Sequence, residues 1–180
     1  MTEDNPLWIF GYGSLMWRPG FAHEAGAPAL LRGYHRAFCI YSVHYRGTRA
    51  RPGLVLGLDR GGSCRGHAYR VAAGNAEAVI AYLDAREQVT AVYERRRVTI
   101  DIAGERVPAI TYVADRAHGQ YAGKLTPCRV ADIIRAGHGI AGDNLVYLEH
   151  TVAHLDELGI ADGPLHDLLA LVREGLDRQG

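Results

Sequence analysis

The chain has 180 residues, a formal net charge of +0 with histidine neutral, and 48% hydrophobic residues. That length accommodates a single domain over residues 1–180 with a proper core, and the apolar content excludes a disordered chain. The balanced charge creates no field that steers nucleic acid or an anionic membrane to the surface, so neither is expected as a partner.

Met1 to Pro6 is polar and lacks the basic flank of a secretory signal. The apolar run from Leu7 breaks at Gly11, too early to cross a bilayer. Leu7-Trp8-Ile9-Phe10 reads as a strand entering the loop Gly11-Tyr12-Gly13. Further strands are expected at Ala37–Tyr41, Leu54–Leu58, Gly66–Val71, Arg97–Ile102 and Ala109–Val113. Turns at Arg51-Pro52-Gly53, Gly61-Gly62 and Ala103-Gly104 separate them. A helix over Ala76–Glu87 interrupts the strands, with Asn75 as its N-cap and Glu77 at the positive end of its dipole. A second helix starts at Thr126-Pro127 and ends before Gly137. A third covers Asn144–Leu158 and stops at Gly159. Asp162-Gly163-Pro164 opens a fourth, with Leu165, Leu168, Leu169, Val172 and Leu176 on one stripe. Strands first and helices later predict an α+β fold, a curled sheet or small barrel with helices packed against it.

The cysteines Cys39, Cys64 and Cys128 are scattered and form no C-x-x-C pair. This argues against a disulfide framework and a zinc site, and it suits a reducing cytoplasm. Cys39 reads as a core residue. His150 and His154 have the i, i+4 spacing of metal ligands but lack the glutamate of H-E-x-x-H, so they read as a solvent-facing pair. Arg95-Arg96-Arg97 reads as the solvated border of a strand. Arg46, Arg49 and Arg51 either bind a carboxylate or decorate a loop.

Gly11-Tyr12-Gly13-Ser14-Leu15 is the most informative short segment. Glycines after a strand let main-chain N–H groups approach an anion or a developing oxyanion. A Walker loop is excluded because no lysine precedes a serine or threonine here, and Lys124 is the only lysine in the chain. A dinucleotide fingerprint is excluded because Met16 occupies its last glycine position. What remains is a plain glycine turn or a small-ligand loop. For a bare G-x-G the plain turn is the commoner case; the neighbouring Trp8, Phe10, Tyr12 and Trp17 count slightly against it, as walls of an apolar pocket.

Glu87 is the odd carboxylate. Ile80 and Leu83 share a face of the first helix, and four more residues bring that face to Glu87. Burial of such a group raises its pKa unless something pairs with it, and makes it an acid and base usable near neutral pH. The pattern equally allows a helix that ends before Glu87, or a glutamate paired with Arg86 or Arg95 at the surface.

Trp8 to Phe21 resembles the opening of the ChaC-like γ-glutamylcyclotransferases. The similarity continues through His44 to Thr48, Arg51 to Leu58 and Gly61 to Gly66. Tyr82-Leu83-Asp84-Ala85-Arg86-Glu87 resembles the segment that carries the family's catalytic glutamate. Asn144 to Leu148 and Leu158 to Asp162 resemble its C-terminal helices. Between Gln88 and Tyr93 the chain differs from the shorter stretch of some relatives, and Ala91 stands where glycine is often found. The resemblance implies a γ-glutamylcyclotransferase-like fold, a barrel-like mixed sheet with helices. It implies cleavage of glutathione to 5-oxoproline and cysteinylglycine, with a small peptide as the partner and no metal or organic cofactor. By position, Glu87 becomes the general acid/base. Ile9, Phe10, Gly11, Tyr12, Gly13, Ser14 and Leu15 become the loop that holds the γ-glutamyl group, with Tyr93 and Tyr147 as further pocket residues. Two alternatives stay open: a cyclotransferase for other γ-glutamyl amines or amino acids, and a non-catalytic regulator or binding protein of the same fold.

Overall fold

The structure, a computed structural model, describes residues 6–87 and 90–178. The chain forms two compact units. One comprises the residues up to Arg36 with Leu58–Asp115; the other comprises Ala37–Gly57 with the residues from Arg116 onward. Two long strands are divided between them.

The first unit is built on a closed barrel. Its strands are β1 (Leu7–Gly11), β2 (Ala25–Ser42), β3 (Gly53–Val71), β4 (Tyr93–Ile102) and β5 (Glu105–Ala114), in the order β1-β3-β2-β4-β5. β1 runs antiparallel to β3 from Leu7↔Val71 to Gly11↔His67, and parallel to β5 at Ile9↔Ile110. The β4–β5 hairpin pairs from Tyr93↔Ala114 to Ile102↔Glu105. Its two-residue turn, Ala103-Gly104, has positive φ at both positions (53° and 89°), the backbone that matches the twist of such hairpins. Closure gives each of the five strands two neighbours, which is one solution to the aggregation hazard of a sheet.

Two strands are longer than the sequence pattern predicts. β2 begins at Ala25, because it lies between β3 and β4 in the barrel: the Glu24 N–H donates to the Arg70 carbonyl of β3 at 2.8 Å, and Leu30 and Leu31 pair with Asp101 and Ile100 of β4. β3 joins the two predicted strands Leu54–Leu58 and Gly66–Val71 into one. Gly61 and Gly62 take positive φ (103° and 69°), so the strand turns without ending. Arg95, Arg96 and Arg97 lie inside β4 rather than at its border, and all three are exposed.

Helix α1 (Ala76–Glu87) matches its predicted span. Asn75 is the last residue of a 3-10 turn, Ala73–Asn75, that runs directly into it. Val79 and Leu83 are its buried residues, and Ile80 is only half-buried, so the inward stripe is Val79, Leu83 and Glu87 at i, i+4, i+8. Leu83 packs with Ile9, Leu15, Val71, Ile110 and Tyr112 in one apolar cluster.

The second unit carries α2 (Pro127–Ala136), α3 (Asn144–Glu157) and α4 (Gly163–Asp177), which pack on one another. Thr126 caps α2 by accepting from the Arg129 N–H, and Asp162 caps α4 by accepting from the Leu165 N–H at 3.2 Å. Leu165, Leu168, Leu169 and Val172 are buried as the stripe predicts, whereas Leu176, near the end of α4, is exposed. Cys39 is buried. Arg46 does not simply decorate a loop: its guanidinium donates to the carbonyls of Ala141 (2.7 Å) and Asp143 (3.1 Å). Among the described residues no helix is long and apolar enough to cross a membrane.

Candidate active site

The loop after β1 folds back on itself. Gly13 leads into a 3-10 turn, Ser14–Met16, closed by the Met16 N–H donating to the Gly13 carbonyl at 2.9 Å. A Cβ on Gly11 would lie 3.0 Å from Leu15 Cβ and 3.2 Å from the Met16 nitrogen, so a side chain there would press the turn outward by a few tenths of an ångström. The first residues of such a turn have no intrahelical partners for their N–H groups, which makes them donors for a ligand. Behind the loop stands Arg36, a buried cation from β2. Its Nε donates to the Tyr12 carbonyl at 2.5 Å, and a terminal nitrogen donates to the Arg65 carbonyl at 2.7 Å. The Tyr69 hydroxyl donates to the Met16 carbonyl. His67, which pairs with Gly11 across β1 and β3, lies tilted against Tyr69 with ring centroids 4.9 Å apart, and its pKa is lowered by burial and then by His23.

Glu87 closes α1 with a side chain only 18% exposed. Burial pushes its carboxyl above the usual carboxylate range, and the neighbouring Arg86 charge pulls partly the other way. The Arg86 Nε lies 3.2 Å from Glu87 Oε1. The same guanidinium reaches the loop: one terminal nitrogen donates to Ser14 Oγ at 3.0 Å, and the other to the Arg18 carbonyl at 2.6 Å. Glu87 is therefore paired with Arg86, one of the two partners the sequence allowed, but the pair is mostly shielded from solvent. Arg95 pairs instead with Asp84, one turn earlier on α1.

Asp84 also accepts from the Tyr112 hydroxyl at 2.7 Å. Burial, that hydrogen bond and nearby acid charge, Glu87's included, push the Tyr112 phenol well above its ordinary range, so it stays a neutral donor. Arg95, Asp84 and Tyr112 thus form a fixed polar chain beside the candidate acid.

The structure brings most of the predicted residues together. Ile9 and Leu15 share the cluster of Leu83 and Tyr112, and Tyr93, at the start of β4, packs against it. Ile9 and Phe10 are fully buried, so their side chains serve the core. Tyr12 is buried as well, and Ser14 is exposed and hydrogen-bonded to Arg86. Tyr147 belongs to the second unit, on α3. Its hydroxyl accepts from the Leu56 N–H at 3.3 Å, its ring meets Phe38 edge-on at 5.7 Å, and Arg46 lies 5.5 Å above it. His150 is exposed, and His154 contacts Glu157 at 3.1 Å. Ala91 adopts φ 55°, the left-handed backbone that favours glycine. Gln88 and Val89, part of the same segment, lie outside the described residues. Sequence reasoning missed Arg36 and Tyr112, which carry no local motif. It quoted Asp84 and Arg86 within the segment that resembles the family, and gave a role only to Arg86, as a partner for Glu87.

A model of the family described as ChaC-like protein matches residues 7–175. The chain is similar to the glutathione-specific gamma-glutamylcyclotransferase of Escherichia coli (strain K12), at 36% identity over 173 residues, 96% of this chain and 75% of that protein. It is also similar to the human glutathione-specific gamma-glutamylcyclotransferase 1, at 37% identity over 151 residues, 81% of this chain and 68% of the relative. The crystal structure of a yeast gamma-glutamyl cyclotransferase specific to glutathione superposes with a TM-score of 0.82 at 23% identity, covering 94% of this chain and 99% of that one. That likeness establishes the fold, and the sequence matches establish the lineage: this chain belongs to the ChaC-like family.

Proposed function

We propose that this protein is a γ-glutamylcyclotransferase that cleaves glutathione to 5-oxoproline and cysteinylglycine in the cytoplasm, with Glu87 moving the protons. The observation that carries the reading is a mostly buried glutamate with a raised pKa, linked through one arginine to a glycine loop. The relatives named above act on glutathione, which supports the substrate choice.

The nucleophile belongs to the substrate. Its α-amine attacks its own γ-carbonyl carbon, a C–N bond forms to close the five-membered lactam, and the C–N bond to the cysteine nitrogen breaks. Holding the γ-glutamyl group folded contributes roughly 7–11 kcal/mol in well-oriented intramolecular reactions. Glu87 takes a proton from the attacking nitrogen and returns one to the leaving nitrogen, a cycle suited to a carboxyl whose pKa lies above the ordinary range. Main-chain N–H groups of the Tyr12–Leu15 loop supply donors for the oxyanion or the substrate α-carboxylate. The reaction so written draws on no cofactor, and nucleic acid has no place in it.

The test is Glu87→Gln in a folded protein. The variant should bind glutathione and release no 5-oxoproline; retention of most turnover removes Glu87 from the mechanism. Simple γ-glutamyl dipeptides, assayed beside glutathione, report whether the rest of the tripeptide is recognised.

A further inference from the structure

We infer that Arg86 is a positioning residue that locks the Glu87 carboxylate to the glycine loop, so that base and substrate cradle move as one body. The inference rests on the proposed role of Glu87.

Five contacts radiate from one guanidinium, the longest to the Tyr82 hydroxyl at 3.5 Å. Nε faces Glu87 Oε1 at 3.2 Å. One terminal nitrogen donates to Ser14 Oγ at 3.0 Å. The other donates to the carbonyls of Arg18 at 2.6 Å and Pro19 at 3.2 Å. A planar fork with donors on three nitrogens can serve a carboxylate on one side and a loop on the other at once. A lysine ammonium, a single compact charge, cannot span them. A second feature presses the same segment onto α1. Gly20 has φ 75°, and a Cβ there would lie 2.2 Å from the Tyr82 hydroxyl, so the chain following the loop passes directly over the helix one turn before Arg86. The segment 18–20 is thus held from two side chains of α1.

This arrangement has a chemical purpose. Glu87 sits in the last helical turn, where backbone order is weakest. Proton transfer needs its oxygen within hydrogen-bond reach of an amine held by the loop, and misplacement by about 1 Å can cost on the order of 10²-fold in rate. The guanidinium fixes that distance. Its charge also favours the carboxylate form, against burial. Among the described residues, Tyr112 on β5 shares its electrostatic surroundings with Glu87, with Asp84 on the same helix and with Arg95 on β4. Asp84 and Arg95 are paired with each other, which leaves Arg86 as the cation committed to Glu87.

The experiment compares wild type, Glu87→Gln, Arg86→Lys and Arg86→Met, each confirmed folded by circular dichroism. It reads kcat and KM for glutathione across pH, together with the ¹³C carboxyl shift of Glu87. Arg86→Lys should lose about 10²-fold in kcat with little change in KM, because the charge stays and the bridge is lost. Arg86→Met should lose at least as much, and both the acidic limb of its rate profile and the carboxyl titration should move to higher pH. Arg86→Lys at wild-type kcat, or an Arg86→Met titration that coincides with wild type, overturns the inference. An active Glu87→Gln, by contrast, overturns the reading of Glu87 itself, and the carboxyl titration then still decides whether Arg86 governs that group.

Discussion

Arg36→Met should weaken both the fold and the site. Arg36 is only 6% exposed and donates to the carbonyls of Tyr12 and Arg65 at 2.5 and 2.7 Å. Hydrogen bonds to a charged donor contribute about 1.5–3 kcal/mol each, so the two contribute about 3–6 kcal/mol gross. Removing the guanidinium also removes the cost of keeping a cation out of water, and the methionine refills part of the space. The net loss is therefore about 2–3 kcal/mol. Arg36→Lys keeps the charge but cannot reach both carbonyls, and should fall between. The Tyr12 carbonyl lies in the candidate binding loop, so the same change should lower kcat/KM for glutathione by roughly tenfold or more, even where the protein is fully folded. Urea denaturation gives the stability change, and steady-state kinetics well below the transition gives the second effect. A variant with an unchanged midpoint and full kcat/KM would refute the idea that this buried cation organises the loop.

Three other predictions follow from the same reasoning. Asn144 is fully buried, and its side-chain amide exchanges two 2.7 Å hydrogen bonds with the main chain of Leu54; Asn144→Ala leaves both Leu54 groups unpaired and should cost about 2–4 kcal/mol in denaturant melts. Ala91→Gly should stabilise by about 0.5–1 kcal/mol, since a left-handed alanine costs about 1–2 kcal/mol and glycine's extra chain entropy offsets part of the gain; a lower melting temperature contradicts this. Glu87 has a raised folded-state pKa, so its contribution to stability is complete below its unfolded value and is lost as pH rises through the folded one. Glu87→Gln, which does not ionise, should therefore gain on wild type as pH rises from the ordinary carboxylate range of about 4 through the raised folded-state value, read as diverging melting temperatures, whereas parallel curves contradict the assignment.

The helices were legible because their signals are local. Thr126 before Pro127 and Asp162 before Gly163 act as caps, and the stripe from Leu165 to Val172 is buried. Leu176, in the last turn of α4, departs from that stripe and is exposed. The first half of β2 was not legible, because its place between β3 and β4 in the barrel, rather than a local pattern, makes the segment a strand. Glu87 stood out as an acid in line with an apolar face. Its surroundings did not, because Arg86 meets Ser14 across 72 positions of sequence and Tyr112 meets Asp84 across 28. Such contacts follow from barrel closure, which no local pattern encodes. Tyr147 could be singled out only by resemblance, and its hydrogen bond to Leu56 spans 91 positions.

The most direct measurement is a product analysis by ¹H NMR of glutathione incubated with the purified protein. Intramolecular attack predicts 5-oxoproline and cysteinylglycine in equal amounts, with no free glutamate, and neither product from Glu87→Gln. Glutamate in place of 5-oxoproline would mean that water is the nucleophile, and intact glutathione would mean that the loop and its glutamate serve another purpose.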